Sequence, residues 1–174
     1  MQPVSSWTSP KTQRGLPSKT HHLGFFAKEH IKKGEVLAIK GGHIIDRKTL
    51  LDNLKVIQSS QLQITDDLYI APLNSEETQQ SMVYCNHSCE PNGGYQGQVV
   101  FMAMRDIAAG EEILSDYAMY LDDDIMRFDC NCQTVSCRKL ITGRDWQRPE
   151  LQAKYKGYFV WFLEQKIRQQ TAKD

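Results

Sequence analysis

Eight consecutive residues, Cys85-Asn86-His87-Ser88-Cys89-Glu90-Pro91-Asn92, carry two thiols, an imidazole, two amides and a hydroxyl. Three readings fit that set: a metal site, a thiol nucleophile beside its base, or a polar turn. A second cluster, Cys130-Asn131-Cys132-Gln133-Thr134-Val135-Ser136-Cys137, spells C-x-C-x4-C. Side chains two apart in extended backbone point the same way. Cys130 and Cys132 can therefore address one point, and the spacer can loop Cys137 back to it. Three thiolates are one short of a closed tetrahedral zinc site. The fourth must come from elsewhere, and the other cysteines are Cys85 and Cys89. The surrounding residues are polar (Asp129, Asn131, Gln133, Thr134, Ser136, Arg138), which argues against three thiols buried only as small hydrophobes.

If Cys89 is a zinc ligand, it is no longer a free nucleophile for His87. The chain also lacks G-x-S-x-G, a P-loop and H-E-x-x-H, so the common hydrolase and phosphate-binding signatures are missing. Its 21 Lys+Arg balance 21 Asp+Glu, which gives no overall basic field for nucleic acid. No apolar run is long enough for a membrane span. The first residues, MQPVSSWTSPKTQRG, lack the apolar stretch of a secretory signal. The expected setting is intracellular, cytoplasmic or nuclear, where thiols stay reduced.

The elements that must position these groups are mostly short strands. With 174 residues and 40% hydrophobic content, one compact domain with a small appendage is expected. Residues 1–11 read as a flexible lead-in, within a Pro-, Ser- and Thr-bearing stretch that runs to residue 18. Ala27 to Leu37 and Ala103 to Ile113 share the pattern A-x3-I-x2-G-E-x-apolar. Each reads as a strand, a turn and a strand, with Gly34 and Gly110 at hairpin turns in positive φ. Gln98–Met104 reads as a strand apolar on both faces, hence central. Leu62–Ile64 and Leu68–Ile70 are shorter strands, and Arg47–Gln61 a short helix. Pro149 suits the first position of a helix. It is followed by an apolar stripe at Leu151, Tyr155, Tyr158, Phe159 and Phe162, read as a docking face. Lys166, Arg168 and Lys173 suit the C-terminal end of the dipole. The fold class is β-rich α+β.

Asn86-His87-Ser88-Cys89-Glu90-Pro91-Asn92, followed by Gly110-Glu111-Glu112-Ile113-Leu114-Ser115-Asp116-Tyr117, resembles the SET-domain protein-lysine methyltransferases. Ser18-Lys19-Thr20-His21-His22-Leu23-Gly24-Phe25-Phe26-Ala27 resembles the N-terminal motif of that family. The C-x-C-x4-C resembles its post-SET zinc segment, as in small single-domain bacterial members. The resemblance implies a SET fold of small β-sheets with a pseudoknot over 12–118, a zinc segment over 126–142, and a C-terminal helical tail over 143–174.

The resemblance further implies one zinc ion on Cys89, Cys130, Cys132 and Cys137. It implies S-adenosylmethionine as cosubstrate, held by Leu23, Gly24, Asn86, His87, Tyr117 and Leu140, with Tyr117 as catalytic residue. Methyl transfer to the side-chain amine of lysine in a protein or peptide, histone-like or other, is the implied activity. No direct nucleic-acid or membrane partner is implied. A catalytically weak, SET-like peptide-binding module is the alternative, because His22 replaces a family glycine. A second active-site tyrosine has no clear match near Ser60–Leu62; the candidates for it are Tyr69 and Tyr84, with core residues as their alternative reading. The small Ser115, where the family often has an aromatic ring, leaves room for more than one methyl group.

Overall fold

The two copies of the repeated pattern pair with each other. In the computed structural model, which describes residues 4–20, 22–82 and 84–172, Ile31 and Ile107 exchange backbone hydrogen bonds of 2.9 and 2.8 Å. Gly34 N donates to Ala103 O, and Gly110 N to Ala27 O, both at 2.8 Å. Ala103 N reaches Glu35 O and Ala27 N reaches Glu111 O. Both glycines have the expected positive φ, 86° and 81°. They do not close two independent hairpins, as the sequence suggested. Each turn of one copy is completed by the other copy.

Around this pair the chain runs β1 (Trp7–Thr8), β2 (Thr12–Pro17), β3 (Leu23–Ala27), β4 (Val36–Ile39), β5 (His43–Asp46), α1 (Arg47–Asp52), α2 (Leu54–Ile57), β6 (Leu62–Gln63) and β7 (Leu68–Ala71). It continues through α3 (Ser75–Gln79), β8 (Asn86–His87), β9 (Gly93–Gln96), β10 (Val100–Ala103), β11 (Leu114–Ser115) and a 3-10 turn, Tyr117–Met119. β12 (Arg127–Asp129), β13 (Leu140–Thr142), α4 (Pro149–Lys154) and α5 (Trp161–Thr171) complete it. Six strands form one sheet in the order β1-β4-β10-β9-β11-β8, and β5-β7-β6, β2-β3 and β12-β13 form smaller sheets. The β-rich α+β expectation holds.

Several local expectations are corrected. Residues of the lead-in are tied down: β1 pairs with β4, and Ser6 N donates to Gln80 O. β10 is interior to its sheet, but Phe101 and Ala103 are buried while Val100 and Met102 are only half-buried, so the strand is apolar without being enclosed on both faces. The helix expected over 47–61 divides at Asn53 (φ −119°) and ends at Gln58, which is left-handed. The tail helix divides as well. α4 stops at Lys154, Gly157 (φ 83°) turns the chain, and α5 follows. The apolar stripe docks as expected, with Leu151, Tyr155, Phe159 and Phe162 buried in the main core and Tyr158 packed against it. Met1–Pro3, His21, Val83 and Lys173, which the sequence reading also used, lie outside the described residues. No helix among the described residues is long and apolar enough to cross a membrane.

Candidate active site and metal centre

Parallel pairing of β8 with β11 sets Leu114 opposite Asn86 and Ser115 opposite His87. That register carries the next residues, Asp116 and Tyr117, onto the His87 ring. Tyr117 N donates to His87 Nδ1 at 3.3 Å, and the two rings lie edge to face at 5.2 Å. Phe128 and Tyr120 stand 5.8 and 5.3 Å from the Tyr117 ring, and Tyr95 adjoins Tyr120 at 5.3 Å. The half-buried Tyr117 thus sits in an aromatic cluster drawn from four segments. Burial, with the Cys85 thiol nearby, drives its hydroxyl well above the usual phenol range. The group is a neutral hydrogen-bonding phenol at ordinary pH, suited to orientation and not to taking a proton as phenolate.

Asn86 is fixed by its own amide. Its Nδ2 donates to Leu23 O and to Glu112 Oε1, both at 2.8 Å, and Ser18 Oγ donates to Glu112 Oε2 at 2.9 Å. These acceptors leave Asn86 Oδ1 as the free end of the amide among the described residues. Gly24 follows from the same packing, because a Cβ there would lie 2.4 Å from Glu112 Oε1. Leu23, Gly24 and Asn86 are thereby brought together, and His87 and Tyr117 join them through β8 and β11. His22 is exposed at the entry to β3. Leu140 is half-buried on β13, where its N–H turns back to Arg138 O. Tyr69 is fully buried in a separate cluster with Ile45 and Leu50, and Tyr84 packs against the main core.

The four expected thiols converge. The Sγ atoms of Cys89, Cys130, Cys132 and Cys137 lie within 4.8 Å of one another, with Cys89 and Cys130 at 3.9 Å. A Zn–S bond of about 2.3 Å places tetrahedral sulfurs about 3.8 Å apart, so the set fits a closed structural zinc site. The loop back is made as the spacing anticipated: Gln133 takes a left-handed φ of 58°, and Cys137 N donates to Thr134 O. Arg138 N points at Cys89 Sγ, 3.4 Å away. Cys85 stays in the main core. Cys89 Sγ also lies 3.5 Å from His87 Nε2, but a sulfur grouped with three others at metal-ligand spacing is not free to serve as a nucleophile.

A buried polar network that the sequence did not reveal locks these parts together. Arg138 grips Asp116 and also donates from Nε to Asp145 Oδ2 at 3.1 Å. Tyr155 donates to Asp116 Oδ2 at 2.8 Å, and Lys154 Nζ to Cys89 O at 2.7 Å. Burial alone would raise the Asp116 carboxyl, but Arg138 and His87 outweigh it and hold it below the usual carboxylate range. Tyr155 was read only as part of a docking stripe. Arg138 was read only as one polar residue of the cysteine segment, and nothing in its sequence context marks it as buried.

A family profile described as "SET domain" matches residues 22–118. Histone-lysine N-methyltransferase 2B of Homo sapiens is 29% identical over 137 residues, covering 71% of this chain and 5% of that protein. The variant-silencing SET domain-containing protein of Plasmodium falciparum is 30% identical over 139 residues, covering 68% of this chain and 5% of that protein. The H3 lysine-4 specific histone-lysine N-methyltransferase of Schizosaccharomyces pombe is 30% identical over 138 residues, covering 70% of this chain and 14% of that protein. The chain thus spans a small fraction of the length of these relatives.

Proposed function

The chain belongs to the SET-domain family, and from that premise we propose that it transfers methyl groups from S-adenosylmethionine to lysine side chains of a protein substrate. The observation that supports this reading best is the β8–β11 register. It sets Tyr117 against His87 while Asn86 is held with its oxygen free. Leu23, Gly24, Asn86, His87, Tyr117 and Leu140 would hold the cosubstrate. When bound, it supplies a methyl group on a sulfonium, open to direct displacement.

The chain's own residues then have three tasks. The lysine amine must be neutral to attack, although a free lysine has a pKa of about 10.4. The rings of Tyr95, Tyr117, Tyr120 and Phe128 offer little solvation to an ammonium, and such surroundings lower that pKa. Tyr117, a neutral phenol, aligns the amine lone pair with the methyl group. Alignment of this kind can supply roughly 7–11 kcal/mol of barrier reduction. The four-thiolate centre is structural: it holds the segment bearing Arg138 and Leu140 against β8 and takes no part in the displacement.

The relatives' names make a histone-like acceptor the first substrate class to try. The deciding experiment incubates purified protein with labelled S-adenosylmethionine and a lysine peptide array, and separately measures cosubstrate binding by calorimetry. Transfer onto lysine supports the enzyme. Peptide binding without cosubstrate binding would favour the non-catalytic peptide-binding module, the reading that His22 suggests.

A further inference from the structure

Glu111 and Glu112 are neighbours with different surroundings. Glu111 joins Arg105 in a partly exposed ion pair. The two oxygens of Glu112 instead accept from neutral donors on two separate segments. Oε1 accepts from Asn86 Nδ2 at 2.8 Å, and Oε2 from Ser18 Oγ at 2.9 Å. Backbone pairing puts Glu112 there. Ile113 N donates to Phe25 O and Ala27 N to Glu111 O, so residues 111–113 run antiparallel along β3 with Glu112 opposite Phe26.

The carboxylate decides which way the Asn86 amide faces. Nδ2 carries two N–H groups and meets two acceptors, Leu23 O and Glu112 Oε1. A flipped amide would set Oδ1 against both acceptors, so Oδ1 is kept on the opposite side. Of the two bonds, the one to the charged acceptor is the stronger kind. Asn86 is only 8% exposed, so water replaces a lost partner poorly there. The other oxygen of Glu112 steadies the approach to β3, because Ser18 Oγ also accepts from Thr20 N at 3.2 Å.

Gly24 belongs to the same arrangement. Its φ is not positive, so the backbone does not call for glycine. Space does: a Cβ would lie 2.4 Å from Glu112 Oε1 and 2.8 Å from Phe26 Cε2. A side chain at position 24 would push the carboxylate away from Asn86.

We propose that Glu112 is a positioning residue for the cosubstrate. It acts through Asn86, whose amide oxygen it leaves facing the ligand, and through Ser18, which it ties to the stretch leading into Leu23 and Gly24. The proposal rests on the reading of Asn86 as a cosubstrate-binding residue.

The test measures affinity for S-adenosylmethionine and for its neutral thioether product by calorimetry. Glu112→Met keeps the length of the side chain and offers no acceptor oxygen. It should weaken both ligands equally, by roughly tenfold or more. Glu112→Gln should restore most of that loss, because its Oε1 can accept from Asn86 while its nitrogen donates to Ser18 Oγ. Should Glu112→Met fail to fold, Glu112→Asp takes its place with the same expectation, its carboxylate being one methylene too short to reach both partners. A second measurement needs no ligand. The Asn86 side-chain amide protons, identified in NMR spectra by their loss in Asn86→Ala, should exchange with water roughly tenfold faster or more in Glu112→Met. Unchanged affinity or unchanged amide exchange would overturn the proposal, as would a Glu112→Gln as weak as Glu112→Met. Weakening of the cationic cosubstrate alone would also overturn it, since that marks an effect of charge and not of position. A wild type that binds neither ligand defeats the reading of Asn86, and the proposal with it. A wild type that binds no better than Glu112→Met defeats the proposal alone.

Discussion

Arg138 holds Asp116 with both terminal nitrogens, Nη1 on Oδ2 at 2.5 Å and Nη2 on Oδ1 at 2.8 Å, and the two side chains are 6% and 0% exposed. The pair joins the cysteine segment to the residue immediately before Tyr117. Removing the cation leaves a buried carboxylate without its partner, so Arg138→Met should lower stability by about 3–5 kcal/mol. Arg138→Lys should recover only part of this, because an ammonium lacks the planar fork. Urea denaturation of both variants beside Asp116→Asn and the Arg138→Met/Asp116→Asn double variant measures the coupling. A double variant as damaged as the sum of the singles would contradict it.

About one zinc ion per chain is expected by elemental analysis of protein prepared without chelator. Cys89→Ser should lose the ion and Cys85→Ser should keep it, since only Cys89 joins the cluster. Stripping the metal should lower the melting temperature by roughly 10 °C or more, because binding at a structural site contributes directly to folding.

Tyr117→Phe keeps the ring and its contacts with His87, Tyr120 and Phe128. Loss of one hydroxyl should change stability by only about 1 kcal/mol. Methyl transfer should fall by roughly a hundredfold or more, with cosubstrate affinity nearly unchanged. Melting, calorimetry and turnover on the same preparation decide the point. Near-normal turnover in a folded variant would move attention to Tyr120 and Tyr84.

Lys40 gives the fold an alkaline signature. Burial pushes its amine down to about 7, while an unfolded lysine titrates near 10.4. Between those values the unfolded chain binds more protons at this site, so stability rises with pH. The contribution is complete above the unfolded value and is lost as pH falls towards 7. Wild type should therefore gain on the order of 3 kcal/mol over Lys40→Met between pH 7 and 10. A pH-independent difference between the two would show that Lys40 stays charged in the folded state.

The thiol geometry was legible from spacing, and the approach of the Asn86-His87 segment to Tyr117 from the family resemblance, because each is carried by a dense motif of unusual residues. Spacing alone predicted that Cys130, Cys132 and Cys137 converge, and the family resemblance supplied Cys89. The Arg138–Asp116 pair was not legible, because an arginine among polar residues carries no mark of burial. Phe128 and Tyr120 were invisible as walls of the Tyr117 cluster for a similar reason: an isolated ring does not say which ring it will face. The divided helices were missed because apolar periodicity continues across Asn53 and Gly157, while the backbone at those two residues leaves the helical region.

The mutual completion of the two A-x3-I-x2-G-E copies has a consequence for how the chain is made. As it leaves the ribosome, the first copy meets no partner for the Ala27 carbonyl or the Ile31 amide until Gly110 and Ile107 have emerged. The centre of the fold cannot nucleate locally and must close a long loop, the situation that slows folding and prolongs exposure of apolar strands. Nascent chains arrested before Ile107 should be digested readily by protease. Resistance should appear in a single step only once Gly110 and the tail residues that complete the core, Leu151, Tyr155, Phe159 and Phe162, have all cleared the exit tunnel.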